Sequence, residues 1–123
     1  MSEFPFAHRE HVRFSDRDAL GHVNNAVYST YLEEARIGVL GGLTDFILAR
    51  VEIDFRSELR HADEVVVRSR LDRIGTKSFD LRHEIHADGH LVAEAISVLV
   101  AYDYSRGASL AVSDELRKQL EAL

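Results

Sequence analysis

Asn25-Ala26-Val27-Tyr28-Ser29-Thr30-Tyr31-Leu32-Glu33-Glu34-Ala35-Arg36-Ile37-Gly38-Val39-Leu40-Gly41-Gly42 is the stretch on which the fold turns. Its apolar residues Tyr28, Tyr31, Leu32, Ala35 and Val39 recur at i, i+3, i+4, i+7 and i+11, the spacing of a helix that buries one broad face. Ser29, Thr30, Glu33 and Arg36 mark its polar side. Asn24 or Asn25 can cap the start by accepting a free backbone N–H, and Gly41-Gly42 supplies the positive φ that ends helices. The roughly 16 residues between these signals predict about 24 Å of helix at 1.5 Å rise per residue, long enough to run under a whole sheet.

Upstream, residues 8–14 read as a short first strand that ends at the polar turn Ser15-Asp16-Arg17-Asp18-Ala19-Leu20-Gly21-His22. Downstream, the period becomes alternating: Val51, Ile53 and Phe55 face one way, Arg50, Glu52, Asp54 and Arg56 the other, as in a half-buried strand. Arg60-His61-Ala62-Asp63 reads as a turn, 64–74 as a strand, Gly75-Thr76 as a bulge or turn, and 78–87 as a strand with Phe79, Leu81, His83 and Ile85 on one face. Asp88-Gly89 is a strong hairpin signal and launches a strand over 91–102. That strand is apolar on both sides through Leu99 and is therefore expected to be central, with a second subunit the simplest cover for its other face. Ser113-Asp114-Glu115, followed by Leu116, Leu120 and Leu123, predicts a capped C-terminal surface helix. Turns this short allow only antiparallel pairing. The expectation is an α+β chain: an antiparallel sheet of about five strands wrapped around one long helix, in one domain over residues 1–123.

The 123 residues include no cysteine, which removes disulfides, thiolate metal sites and a cysteine nucleophile, and points to the cytoplasm. No apolar run reaches the roughly 18 residues that span a bilayer, and the stretch Met1-Ser2-Glu3-Phe4-Pro5-Phe6 lacks the pattern of a secretory leader. Lys plus Arg number 15 against 21 Asp plus Glu, so nucleic acid and membrane are not expected partners. An anionic small molecule needs only a local cationic patch.

Carboxylates, an imidazole and two carboxamides thus converge on a helix N-terminus. There, unpaired N–H groups and the helix dipole favour developing negative charge, an arrangement suited to cleaving an activated acyl group. Asp18 can act there or serve as an Asx-turn residue; Asp16, two residues earlier, is expected on the same side of an extended strand end and is assigned to the turn. His22 can hydrogen-bond a substrate carbonyl, position water or cap the turn. Asn24 can cap the helix or hold the water opposite Asp18. Asp16, Asp18 and His22 carry no supporting metal signature, so no metal and no cofactor is expected.

The run from Arg13 to Tyr28, followed by Tyr31-Leu32-Glu33-Glu34-Ala35-Arg36, resembles the hotdog-fold acyl-CoA thioesterases of the 4-hydroxybenzoyl-CoA thioesterase-like group. The resemblance implies the hotdog fold and hydrolysis of an acyl-CoA or acyl-carrier thioester. It also implies that Asp18 acts on the thioester, as a nucleophile forming a mixed anhydride or as a general base on water, while the backbone N–H of Asn25 polarises the carbonyl. In this family the coenzyme A arm runs along a subunit interface, which makes Arg56, Arg60, Arg73, Lys77 and Ser78 candidates for its phosphates. Within Arg73-Ile74-Gly75-Thr76-Lys77-Ser78 the glycine allows close backbone approach and the hydroxyls and lysine offer donors; a bulge with solvated charges is the alternative. The assembly expected is a homo-oligomer, a dimer or a homotetramer. A non-hydrolytic acyl-CoA or acyl-carrier binding protein and an enoyl thioester hydratase using Asp18 and His22 are the other readings.

Overall fold

Residues 4–42, 44–60 and 62–123 are described in a computed structural model; Met1, Ser2 and Glu3 of the N-terminal stretch and His61 of the expected 60–63 turn lie outside them. The long helix, α1, spans Val27–Leu40 and ends at Gly41, whose N–H donates to Ile37 O. Its predicted face is the buried one: Tyr28, Tyr31, Leu32, Ala35 and Val39 all lie in the interior.

The strands are β1 (Phe6–His11), β2 (Phe46–Phe55), β3 (Glu64–Ile74), β4 (Ser78–Ala87), β5 (His90–Asp103) and a two-residue β6 (Ala108–Ser109). All pairings are antiparallel, in the order β1-β3-β4-β5-β2, with β6 beside β5. Together with α1 and a C-terminal helix α2 (Asp114–Glu121), this is the α+β architecture expected, with β6 a small addition. β5 is central because the Asp88-Gly89 hairpin folds it onto β4 while β2 returns to its other side. Both turn residues have positive φ, 51° and 77°, as a tight two-residue connection requires.

On the sheet face toward α1, Val65, Val67, Phe79, Leu81, Ile85 and Leu99 are buried. Side chains of this size contribute about 1.5–3 kcal/mol each when fully buried, which is what presses the helix onto the sheet. On the other face Ile96, Val98 and Val100 are only half-buried, so no described element of this chain completes their cover.

Three expectations need correction. The first strand is Phe6–His11 rather than 8–14, because Asp16 Oδ2 accepts the Arg13 N–H (2.9 Å) while Asp16 N donates to Arg13 O (3.0 Å). This reciprocal bonding bends Phe14–Asp16 into one 3₁₀ turn and leaves Phe14 92% exposed. The same turn separates the two aspartates, Asp16 entering the core and Asp18 facing out. Arg36, expected on the polar side of α1, is 4% exposed. Its guanidinium reaches across to β5 and donates to Ser97 Oγ at 3.1 Å.

Candidate active site

Residues 17–23 form a miniature hairpin ahead of α1. Arg17 pairs with Val23, Asp18 N donates to His22 O (2.7 Å), and Gly21 N donates to Asp18 O (3.1 Å). Gly21 supplies φ of 81°, which an L side chain adopts only with strain. The hairpin is tied to the segment before β3 by Val23 N to Leu59 O (3.0 Å), a His22–Arg60 bridge, and Arg17 Nη2 donating to Ala62 O (2.7 Å). Beneath it, Asp16 accepts the Tyr31 hydroxyl and its own carbonyl accepts Asn24 N at 2.9 Å. The loop is therefore held at both ends by the core.

Asp18 is exposed, and its two oxygens have different lives. Oδ1 accepts Leu20 N (2.9 Å) and His22 N (3.2 Å), fixing the carboxylate against its own loop. Oδ2 accepts nothing from the described residues. Such a carboxylate is oriented while keeping one oxygen for chemistry.

At the start of α1 the cap position is held by Ala26, with no side-chain cap bond, so neither Asn24 nor Asn25 caps the helix as expected; Asn24 Oδ1 instead accepts Ala26 N at 2.9 Å in an Asx turn just ahead of it. The Asn25 N–H donates to no described residue. Asn25 lines a cleft of about 250 Å³ whose other walls include His22, Tyr28, Phe55, Arg56 and Glu58. His22 Nε2 is buried there without a hydrogen bond, 3.6 Å from Glu58 Oε2. The Tyr28 hydroxyl likewise has no partner among the described residues, and burial raises its pKa so that it stays protonated. Asp18 is not in the wall of this cleft; it is hydrogen-bonded to His22, which is.

The candidate cations divide into two groups. Arg56 lines the cleft, paired with Glu94 (2.8 Å) and Asp54 (3.8 Å), and Arg60 lies nearby, 3.6 Å from Glu58. Arg73, Lys77 and Ser78 sit at the far end of β3, about 30 Å along the strand at 3.3 Å per residue. There Arg73 is already held by Ser78 Oγ (3.0 Å) and Asp80 (3.2 Å), and Arg117 of α2 caps Gly75 O at 2.9 Å. Within one chain these three do not meet Asp18.

Sequence reasoning assigned Tyr28 to the core alone and passed over Glu58. Tyr28 is both core and cleft wall, which periodicity cannot distinguish. Glu58 carries no motif; it meets His22 only because the chain after β2 returns past the helix N-terminus. Among the described residues no group of three or more His, Asp or Glu is placed to hold a metal. A larger cavity of about 510 Å³ lies at the opposite end, between β5, β6 and α2, but Asp45, Asp103 and Glu115 line it with no Lys or Arg. That charge repels a polyphosphate. Two further cavities, of about 370 Å³ beside Arg9 and about 300 Å³ beside Arg60, also open on this molecule, but neither is lined by a residue of the Asp18 loop or of the start of α1; the 250 Å³ cleft is, through His22, Asn25 and Tyr28.

Residues 12–120 match the model of the thioesterase-like superfamily. The chain belongs to that family. The thioesterase-like sequence is 31% identical to the long-chain acyl-CoA thioesterase FadM of Escherichia coli K12, covering 91% of this chain and 94% of FadM. It is 27% identical to a 1,4-dihydroxy-2-naphthoyl-CoA hydrolase of Nostoc punctiforme, over 94% and 86%. Among solved structures, a Thermus thermophilus thioesterase complexed with coenzyme A and zinc superposes with a TM-score of 0.87 at 34% identity, over 95% of this chain and 98% of that one. The architecture is thus the hotdog fold of the thioesterase-like family, as the residues from Arg13 to Arg36 led one to expect.

Proposed function

We propose that this chain hydrolyses acyl-CoA thioesters to the free acid and coenzyme A at the Asp18 loop. One observation carries the reading: Asn25, whose N–H has no partner among the described residues, lines a cleft together with His22, and His22 is hydrogen-bonded to a carboxylate, Asp18, that its own loop holds with one oxygen left over. A thioester carbonyl seated against Asn25 would have its oxygen drawn to the amide and to the positive end of α1. Asp18 Oδ2 then either attacks the carbonyl carbon, giving a mixed anhydride that water cleaves, or removes a proton from an attacking water. In both routes the C=O electron pair moves onto oxygen, returns, and expels the thiolate, which is stable enough to leave without a strong acid.

His22 completes the cleft as a polar contact for the carbonyl or the water, while Asn24 holds the helix entry. Arg56 and Arg60 are the cations nearest the cleft and are assigned to the coenzyme A phosphates. Arg73, Lys77 and Ser78 would serve the same ligand only where a second copy carries them to the loop. A homo-oligomer also supplies the missing cover for Ile96, Val98 and Val100 and for the exposed Asp18. The composition suits an enzyme of the cytoplasm.

Two of the relatives are a long-chain acyl-CoA thioesterase and a 1,4-dihydroxy-2-naphthoyl-CoA hydrolase, which frames the test. Thiol release is measured across short, long-chain and aromatic acyl-CoA esters; turnover of at least one class supports the reading, and none with any class refutes it.

A further inference from the structure

Tyr28 and Tyr31 stand on the same face of α1, ring centroids 6.3 Å apart, and both are buried, yet their hydroxyls are treated differently. Tyr31 donates to Asp16 at 2.8 Å. Tyr28 is 2% exposed, its ring edge-packed against Phe55 at 5.0 Å, and its hydroxyl has no partner among the described residues. The hydroxyl is not itself fully buried, so the little exposure Tyr28 keeps includes its oxygen, in a side chain that phenylalanine would replace without losing a hydrogen bond. Packing alone therefore does not explain the oxygen.

Its position does. Side chains on a helix lean back toward the N-terminus, so the Tyr28 ring, in the first turn of α1, carries its hydroxyl toward the end where Asn25 N–H is unpaired. Both residues line the same small cleft, with His22 as a third wall residue.

We infer that the Tyr28 hydroxyl is a catalytic hydrogen-bond donor to the thioester oxygen, acting together with the Asn25 N–H. This rests on the hydrolytic reading above and adds a side chain to what was a backbone-only oxyanion site. No proton is transferred: Tyr28 keeps its hydrogen while charge gathers on the substrate oxygen and is released again as the C–S bond breaks and the thiolate departs. A donor aimed at charge present only in the transition state acts on turnover rather than on binding.

The test is Tyr28→Phe, compared with the parent and with Asp18→Asn by thiol release on two acyl-CoA esters of different chain length, with thermal unfolding of each protein. The inference expects kcat to fall by about 10²-fold, equally for both esters, with KM little changed and Tm unchanged or raised, since no intramolecular hydrogen bond is removed. Parent-like kcat, a loss confined to KM, a loss that differs between the esters, or a lowered Tm would each overturn it. If Tyr28→Phe turns over normally while Asp18→Asn is inactive, the inference fails and the hydrolytic reading stands. If the parent itself releases no thiol, the hydrolytic reading fails and takes the inference with it.

Discussion

Tyr31 and Asp16 are joined by a buried hydrogen bond of 2.8 Å, the phenol donating to Asp16 Oδ2, which also accepts the Arg13 N–H. One carboxylate thereby fastens the 3₁₀ turn to the second turn of α1 and sets where the Asp18 loop begins. Tyr31→Phe removes one of the two donors from a buried charge and is expected to cost about 1.5–3 kcal/mol in urea unfolding. Asp16→Ala, which also leaves the Tyr31 hydroxyl unpaired, should cost more and depress activity by loosening the loop. A Tyr31→Phe protein as stable as the parent would contradict this anchoring role.

A second buried chain of polar groups crosses the sheet beneath α1: Arg36 Nη1 donates to Ser97 Oγ, which lies 2.9 Å from His83 Nε2, and His83 Nδ1 lies 2.7 Å from Ser69 Oγ. Burial, with the neighbouring Arg36 charge, lowers the His83 pKa to about 3. Below about pH 6.5 the unfolded chain binds a proton at this histidine that the folded chain refuses, so its share of stability is intact above 6.5 and is lost as pH falls. The slope from this one site is at most about 1.4 kcal/mol per pH unit. Urea unfolding at pH 7 and pH 4.5 should show a larger loss for the parent than for His83→Gln; equal losses would remove His83 as the cause.

Arg36→Met extends that test. Taking away the guanidinium lets the His83 pKa move back toward its ordinary value, so the stability lost between pH 7 and pH 4.5 should shrink. An unchanged or larger loss would show that Arg36 does not act on His83.

How much of this was readable from the residues depends on whether their cause is local. The bounds of β3 and β4 and the hairpin at Asp88-Gly89 follow from alternation and turn chemistry, which a short window contains. The buried face of α1 follows from its period for the same reason. Arg36 looked like a surface residue because its place in the helix period is polar; its burial depends on Ser97, 61 residues away in β5. The 3₁₀ turn at Phe14–Asp16 is closed locally by Arg13 and Asp16, but its attachment to the core depends on Tyr31, and β6 on the return of the chain past β5. At the site, the loop and helix start were legible as a motif, whereas Glu58 and the cleft role of Tyr28 arise only when β2 closes against the helix N-terminus.

The C-terminal helix is a control for all of this. Ser113 Oγ accepts the Leu116 N–H at 3.1 Å as an N-cap, at the end of the sheet remote from Asp18. Ser113→Ala should cost about 1 kcal/mol of stability by thermal unfolding and leave thiol release unchanged. A drop in turnover at a temperature where the variant is folded would show that the two ends of the sheet are coupled.

The central claim is that the Asp18 carboxylate acts on the thioester. Asp18→Asn tests it most directly, because the asparagine Oδ1 can still accept Leu20 N and His22 N and so preserve the loop while the negative charge is removed. Thiol release from the best acyl-CoA ester should fall by about 10²-fold or more with the unfolding midpoint close to the parent's. Release at the parent rate by a folded Asp18→Asn protein would contradict the account.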